Sequence, residues 1–249
     1  MKDKGGGDLN IVGISFFTQK MAGGFQMDSI YLEYKGKKGD VTRYTTTIDT
    51  KQTLTEKGKT TESATKIQVV MSQTITDVAP DGILTVDVSI DSGKVTNGAQ
   101  SYPLPNTGQK ITMKMKKTGD IIYTSTPVDF SQPSFPEGPK QKKDRWTSVS
   151  KINVQGRPEP VELNYKYILW DIGKMNGMDY AEIKVSCPET ATELQPGMTQ
   201  KISATGSTLF EHRKGFLLKS EVETKTIVEV PENDVLVSTR VGVKVDLIR

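Results

Sequence analysis

One cysteine and one histidine in 249 residues set the first limits on what this chain can do. A lone Cys187 excludes an internal disulfide and excludes thiolate zinc sites that need several cysteines. Any Ser–His–Asp or Cys–His apparatus would have to use His212. That residue lies in Glu211-His212-Arg213-Lys214-Gly215, and its charged neighbours with the following glycine predict a solvent-exposed hairpin turn. Cys187 precedes Pro188 at a predicted strand end, where a small half-buried filler is expected rather than a nucleophile. Asp81, Asp87 and Asp91 lack EF-hand spacing, and alternation sets Asp87 and Asp91 on a strand's outer face. Gly5-Gly6-Gly7 and Gly23-Gly24 lack the phosphate-loop motif and its following helix. No pair of carboxylates is singled out for glycoside hydrolysis, a matter of three-dimensional separation. The expectation is a protein that is not an enzyme, with no cofactor and no metal site.

Long apolar runs are also lacking. None approaches 18 residues, so no transmembrane segment is expected, and the stretch Leu9–Phe17 is broken by Asn10 and Gly13. An excess of one charge is missing as well: 33 basic against 30 acidic side chains give a net charge of +3, which predicts no nucleic-acid partner. Hydrophobic residues make up 35% of the chain and its mean hydropathy is −0.44, so much of the surface is polar. Alanine and leucine are sparse beside threonine, valine, lysine, glycine and serine, a bias that disfavours helices and suits pleated strands.

What is present is period-2 alternation, the signature of half-buried strands. Leu84, Val86, Val88 and Ile90 alternate with Thr85, Asp87, Ser89 and Asp91. Ile111, Met113 and Met115 form one row; Val161, Leu163, Tyr165, Tyr167 and Leu169 form another. Phe216, Leu218, Val222, Val228 and Val230 predict a long strand, and Val235 to Leu247 a second. Strands of this length must twist and coil, so the fold class expected is all-β with long curved antiparallel strands, half-barrel or sandwich-like. Asn176-Gly177 between two apolar segments predicts a tight hairpin. Only Thr18–Met27 and Pro188–Gln195 offer a turn or two of helix.

Pro133, Pro136 and Pro139 mark a linker, and the segments on its two sides match collinearly. Ile75-Thr76-Asp77-Val78 matches Leu169-Trp170-Asp171-Ile172, and Thr85–Ser89 matches Glu182–Ser186. Gln109–Thr112 then matches Gln200–Ser203, and Gly119–Ile122 matches Gly215–Leu218. Tyr44 after Gly39-Asp40 and Trp146 after Asp144 stand at the heads of the two units. These matches predict a duplication: a flexible leader over 1–8, a first β unit over 9–130, a Pro-rich linker over 131–142 and a second β unit over 143–249, packed as one body.

The approach Phe135-Pro136 with Pro139, followed by Asp144-Arg145-Trp146 and flanked by two β units, resembles a broad group of uncharacterised exported bacterial lipoproteins. That group opens the unit with Gly-Asp-x-Trp, and Lys143 stands here in the glycine's place. The resemblance spans Ser29 to Val230 and brings no activity or functional residues with it. The glycine-rich start Lys2–Asp8 reads either as a tether left by a removed signal or lipoprotein leader, or as an ordinary polar terminus. The expected location is exported, in the cell envelope or outside the cell, with lipid anchoring of the native precursor.

Two surfaces stand out. Met113, Met115, Tyr165, Tyr167, Trp170 and Met178 gather aromatic and polarizable side chains, as an apolar or amphiphilic ligand site or as core filler. Lys35, Lys37 and Lys38 with Lys114, Lys116 and Lys117 offer contacts for a polyanion such as an envelope polymer, or simply protect sheet edges. The function expected is binding of an amphiphile on a curved sheet. The alternative is a structural subunit that forms homo-oligomers, a filament or a surface layer, through edge pairing of Leu9–Phe17 or Val235–Leu247.

Overall fold

The computed structural model describes residues 29–105, 107–126, 133–152 and 159–248. The leader 1–8, the apolar stretch Leu9–Phe17 and the helical candidate Thr18–Met27 lie outside these residues. The first half carries β1 (Val41–Glu56), β2 (Lys59–Val78), β3 (Leu84–Asn97), β4 (Gln100–Pro103), β5 (Lys110–Met115) and β6 (Ile121–Thr124). The second carries β7 (Arg145–Ile152), β8 (Val161–Met175), β9 (Met178–Gln195), β10 (Met198–Glu211), β11 (Phe216–Val230) and β12 (Val235–Ile248). The one helical element among the described residues is the 3-10 turn Pro231–Asn233.

All of these strands belong to one antiparallel sheet in the order β6-β5-β3-β2-β1-β12-β11-β10-β9-β8-β7, with the short β4 paired beside β3. The fold is therefore all-β, as expected, and the sheet does not close: β6 and β7 are its two ends. Val235–Ile248 is a central strand, paired on one side with β1 and on the other with β11. The Asn176-Gly177 turn joins β8 to β9 with both residues at positive φ, 51° and 78°, as a primed hairpin turn requires. Pro188–Gln195 is not helical. It continues β9, and a register shift opposite Ile202 and Ala204 accommodates Pro188, which has no amide hydrogen for the ladder.

Bulges sharpen the curl of long strands. One shifts the β2–β3 register between Ile75 and Asp77, and another shifts β8–β9 between Leu169 and Asp171. The turns entering β1 and β7 are built alike. Asp40 accepts a hydrogen bond from the Lys37 amide at 2.7 Å, and Asp144 accepts one from the Gln141 amide at 2.9 Å. Ile75 and Leu169 donate their amides to the Asp40 and Asp144 carbonyls, each at 3.0 Å.

Two extended straps close one end of the curl. In the first, Ile30, Leu32 and Tyr34 point inward and are buried, while Tyr31 is exposed. Its Tyr34 amide bonds the Lys117 carbonyl and its Lys35 amide bonds the Gly215 carbonyl, so it crosses the β5–β6 and β10–β11 turns. Gly215 there has φ 80°, and a Cβ on it would lie 2.3 Å from the Lys35 nitrogen, so the crossing admits only glycine. The second strap, around Phe135, bonds the Thr118 carbonyl, and Lys140 exchanges both backbone bonds with Ile30. Tyr34, Phe135 and Phe210 then meet with ring centroids 4.7 to 5.2 Å apart. One core cluster contains Leu84, Val86 and Met113 from the first half, Leu169, Ile183 and Phe210 from the second, and Phe135 from between them.

Candidate functional site

Strand register builds a cavity on the inner face of the curl. One row across the sheet runs Val243–Val222–Gly206–Val185–Tyr167–Trp146, each residue opposite the next on the neighbouring strand. The adjoining row runs Val245–Ser220–Thr208–Ile183–Leu169. Alternation puts both rows on one face, and burial of Leu169, Ile183, Thr208 and Ser220 identifies it as the inside. In the first row Gly206 lets β11 approach closely, since a Cβ there would lie 2.3 Å from the Glu221 carbonyl oxygen.

The space is half open to solvent, measures about 830 Å³ and is lined by residues of β8 to β12 together with β6 and β7. Strands at opposite ends of the sheet order thus frame one cavity, and the sheet is a half-barrel. Its size lies within the usual range of about 300–1,000 Å³ for small-molecule sites. Apolar side chains cluster where the two edges meet solvent: Ile122 is 49% exposed, Tyr123 51% and Val149 55%.

Electrostatically the interior is bland. Among the described lining residues the charged side chains are Asp120 and Lys151, both at the edge strands. Asp120 is already engaged, accepting hydrogen bonds from Thr118 and Ser134, each at 2.8 Å. The deep polar atoms are neutral: Thr208 Oγ1 and Ser220 Oγ lie 3.0 Å apart. Burial pushes the Tyr165 and Tyr167 hydroxyls up, so both stay protonated across the physiological range. Ser148 donates to Tyr167 at 3.3 Å, and Trp146 stacks on Tyr167 at 5.4 Å while its indole N–H bonds the Ser134 carbonyl.

The six aromatic and methionine residues singled out by the alternation separate in space. Tyr165 and Tyr167 line the cavity. Met113 and Met115 are buried in the core that closes its end. Trp170 faces outward on the β8 bulge, 40% exposed, with the Lys143 and Lys184 ammonium groups 3.5 and 3.8 Å from its ring centroid. Met178 begins β9 beside the hairpin turn. The lysines divide similarly. Lys35 and Lys117 share Glu33, at 3.9 and 2.9 Å, where the first strap crosses the β5–β6 turn. Lys37 and Lys38 lie ahead of β1, and Lys114 and Lys116 are exposed on and after β5.

Cys187 is buried with Val161, Leu163, Ile202 and Ala204, and desolvation pushes its thiol up, away from nucleophilic thiolate. His212 does occupy a hairpin turn, but it is half-buried rather than solvent-exposed. It borders a 680 Å³ groove with Arg213, Lys174, Lys35 and Asp179. Burial holds its imidazole below the ordinary range despite the Glu211 and Asp179 charges. No group of three metal-ligating side chains occurs among the described residues.

Thr208, Ser220 and Thr224 line the cavity but were not among the residues singled out by periodicity. For the two on β11 the signal was a gap: in Phe216–Val230 the apolar row breaks at Ser220 and Thr224, polar residues at inward positions of a long strand.

No family model matches the chain, and no curated protein matches it. Among solved structures, a DUF1329 family protein from Desulfovibrio piger is similar at 12% identity over 79% of this chain and 83% of that one, with a TM-score of 0.16. A putative outer membrane lipoprotein-sorting protein domain from Vibrio parahaemolyticus is similar at 10% identity over 82% and 85%, with a TM-score of 0.17. At this level of likeness neither neighbour assigns a fold or a function to the chain.

Proposed function

We propose that this chain is a non-enzymatic, exported cell-envelope or extracellular binding protein that holds an apolar or amphiphilic ligand inside its half-barrel. The observation that carries the proposal is the cavity of about 830 Å³ framed by both end strands of one sheet. Valine, isoleucine and tyrosine side chains supply the apolar contact, worth about 25 cal/mol for each Å² removed from water. The paired bulges and the matching Asp40 and Asp144 turns support an origin by duplication, with each half supplying one edge of the mouth.

Native mass spectrometry of the untagged protein, before and after organic extraction, tests this. A monomer carrying a discrete mass that extraction removes is the expected result. A ladder of oligomers at bare subunit mass would overturn it in favour of self-association. Such assembly would use β6 and β7, the strands at the two ends of the sheet.

A further inference from the structure

We propose that the cavity selects a neutral amphiphile, whose uncharged ester, carbonyl or hydroxyl group is held by the Thr208–Ser220 hydroxyl pair. This rests on the binding function proposed above and names the class of ligand.

The two hydroxyls sit on adjacent strands, β10 and β11, directly opposite each other in the ladder. Thr208 is 3% exposed and Ser220 8%, and both line the cavity, so they form its floor rather than its rim. Their mutual hydrogen bond of 3.0 Å uses one hydroxyl proton of the two. A hydroxyl has one donor and two acceptor lone pairs, so the pair retains a proton and several lone pairs for a third group. A carbonyl accepts that proton, and an alcohol can accept it or donate in return.

Charge decides against the other head groups. Moving a carboxylate, phosphate or ammonium to this floor removes its hydration, and the floor supplies no counter-ion to replace it. The charged residues in the lining are Asp120, just ahead of β6, and Lys151 on β7, and Asp120 is occupied by Thr118 and Ser134. A neutral carbonyl loses far less on entry and regains one hydrogen bond. The flanking Val185, Val222 and Val243 then receive the hydrocarbon part.

The test is displacement of the neutral fluorescent probe N-phenyl-1-naphthylamine by methyl palmitate, palmitate and hexadecane at about pH 8, where the free acid is ionised. Methyl palmitate is expected to bind more tightly than palmitate or hexadecane. In the double variant Thr208→Val, Ser220→Ala, the ester should weaken by about two- to tenfold, the range of one net hydrogen bond, while hexadecane is unchanged. The wild-type order stands without the variant, so a folding defect does not remove the test. Tighter binding of palmitate, or an ester-to-alkane ratio the variant leaves unchanged, would overturn the neutral-ligand proposal and leave the cavity's function intact. If none of the three displaces the probe, both proposals fall.

Discussion

Gly39 and Lys143 occupy the same place in two turns of the same build, with φ of 92° and 79°. Each precedes an aspartate that accepts the amide three residues before it, Asp40 in one turn and Asp144 in the other. Each also donates its own amide to a strand carbonyl, Gly39 to Ile75 at 2.8 Å and Lys143 to Leu169 at 2.7 Å. A left-handed backbone costs a residue with a Cβ about 1–2 kcal/mol, and glycine nothing. The lysine side chain recovers part of this by lying over Trp170, about 0.5–1 kcal/mol for an exposed cation–π contact.

Lys143→Gly should therefore leave stability unchanged or raise it by up to about 1 kcal/mol, because Lys184 still covers the Trp170 ring. Gly39→Lys should cost about 1–2 kcal/mol, since it puts a Cβ on a backbone at φ 92°. Urea denaturation of the two variants checks both signs, and a loss of stability in Lys143→Gly would contradict the account.

Phe210 is fully buried and touches both straps through Tyr34 and Phe135. Phe210→Ala should cost about 3–5 kcal/mol, the usual range for emptying an aromatic site in a core. Because the straps close the end of the half-barrel, amide exchange in residues 30–35 should quicken more than in β1 or β12. Hydrogen exchange read by mass spectrometry distinguishes this from uniform destabilisation.

His212 gives a pH dependence with a defined sign. Burial depresses its folded value below the ordinary value of about 6.5, against the opposing pull of Glu211 and Asp179 and with help from Arg213 and Lys35. In that window the unfolded chain binds a proton that the folded chain refuses. Stability should be full above about pH 6.5 and fall as pH drops from there to the depressed folded value. His212→Gln should flatten that part of the profile in melting experiments between neutral and mildly acidic pH.

Much of the fold was legible in the sequence because strands write themselves as alternation. Leu84–Ile90, Val161–Leu169 and Val235–Leu247 all lie in strands, and Asn176-Gly177 makes the predicted turn. Pairing between distant strands was not legible. Nothing local tells Thr46 that it will face Val245, so neither the β1–β12 junction nor the identity of the edges follows from periodicity. The site was half legible for the same reason. Tyr165 and Tyr167 shared an inward row and reached the cavity, whereas Trp170, one step out of phase with that row, faces outward. Met113 and Met115 were in phase but lie deeper, under the straps.

The central claim is that a ligand's hydrocarbon part lies inside the half-barrel, and the two tryptophans test it directly. Trp146 stacks on the cavity-lining Tyr167, while Trp170 lies on the outer face between two lysines. The measurement is quenching of tryptophan fluorescence by methyl palmitate brominated along its chain, in Trp170→Phe and Trp146→Phe variants. The account predicts strong quenching of Trp146 in the first and little of Trp170 in the second. Equal quenching of both, or quenching of Trp170 alone, would place the ligand outside the half-barrel and contradict it.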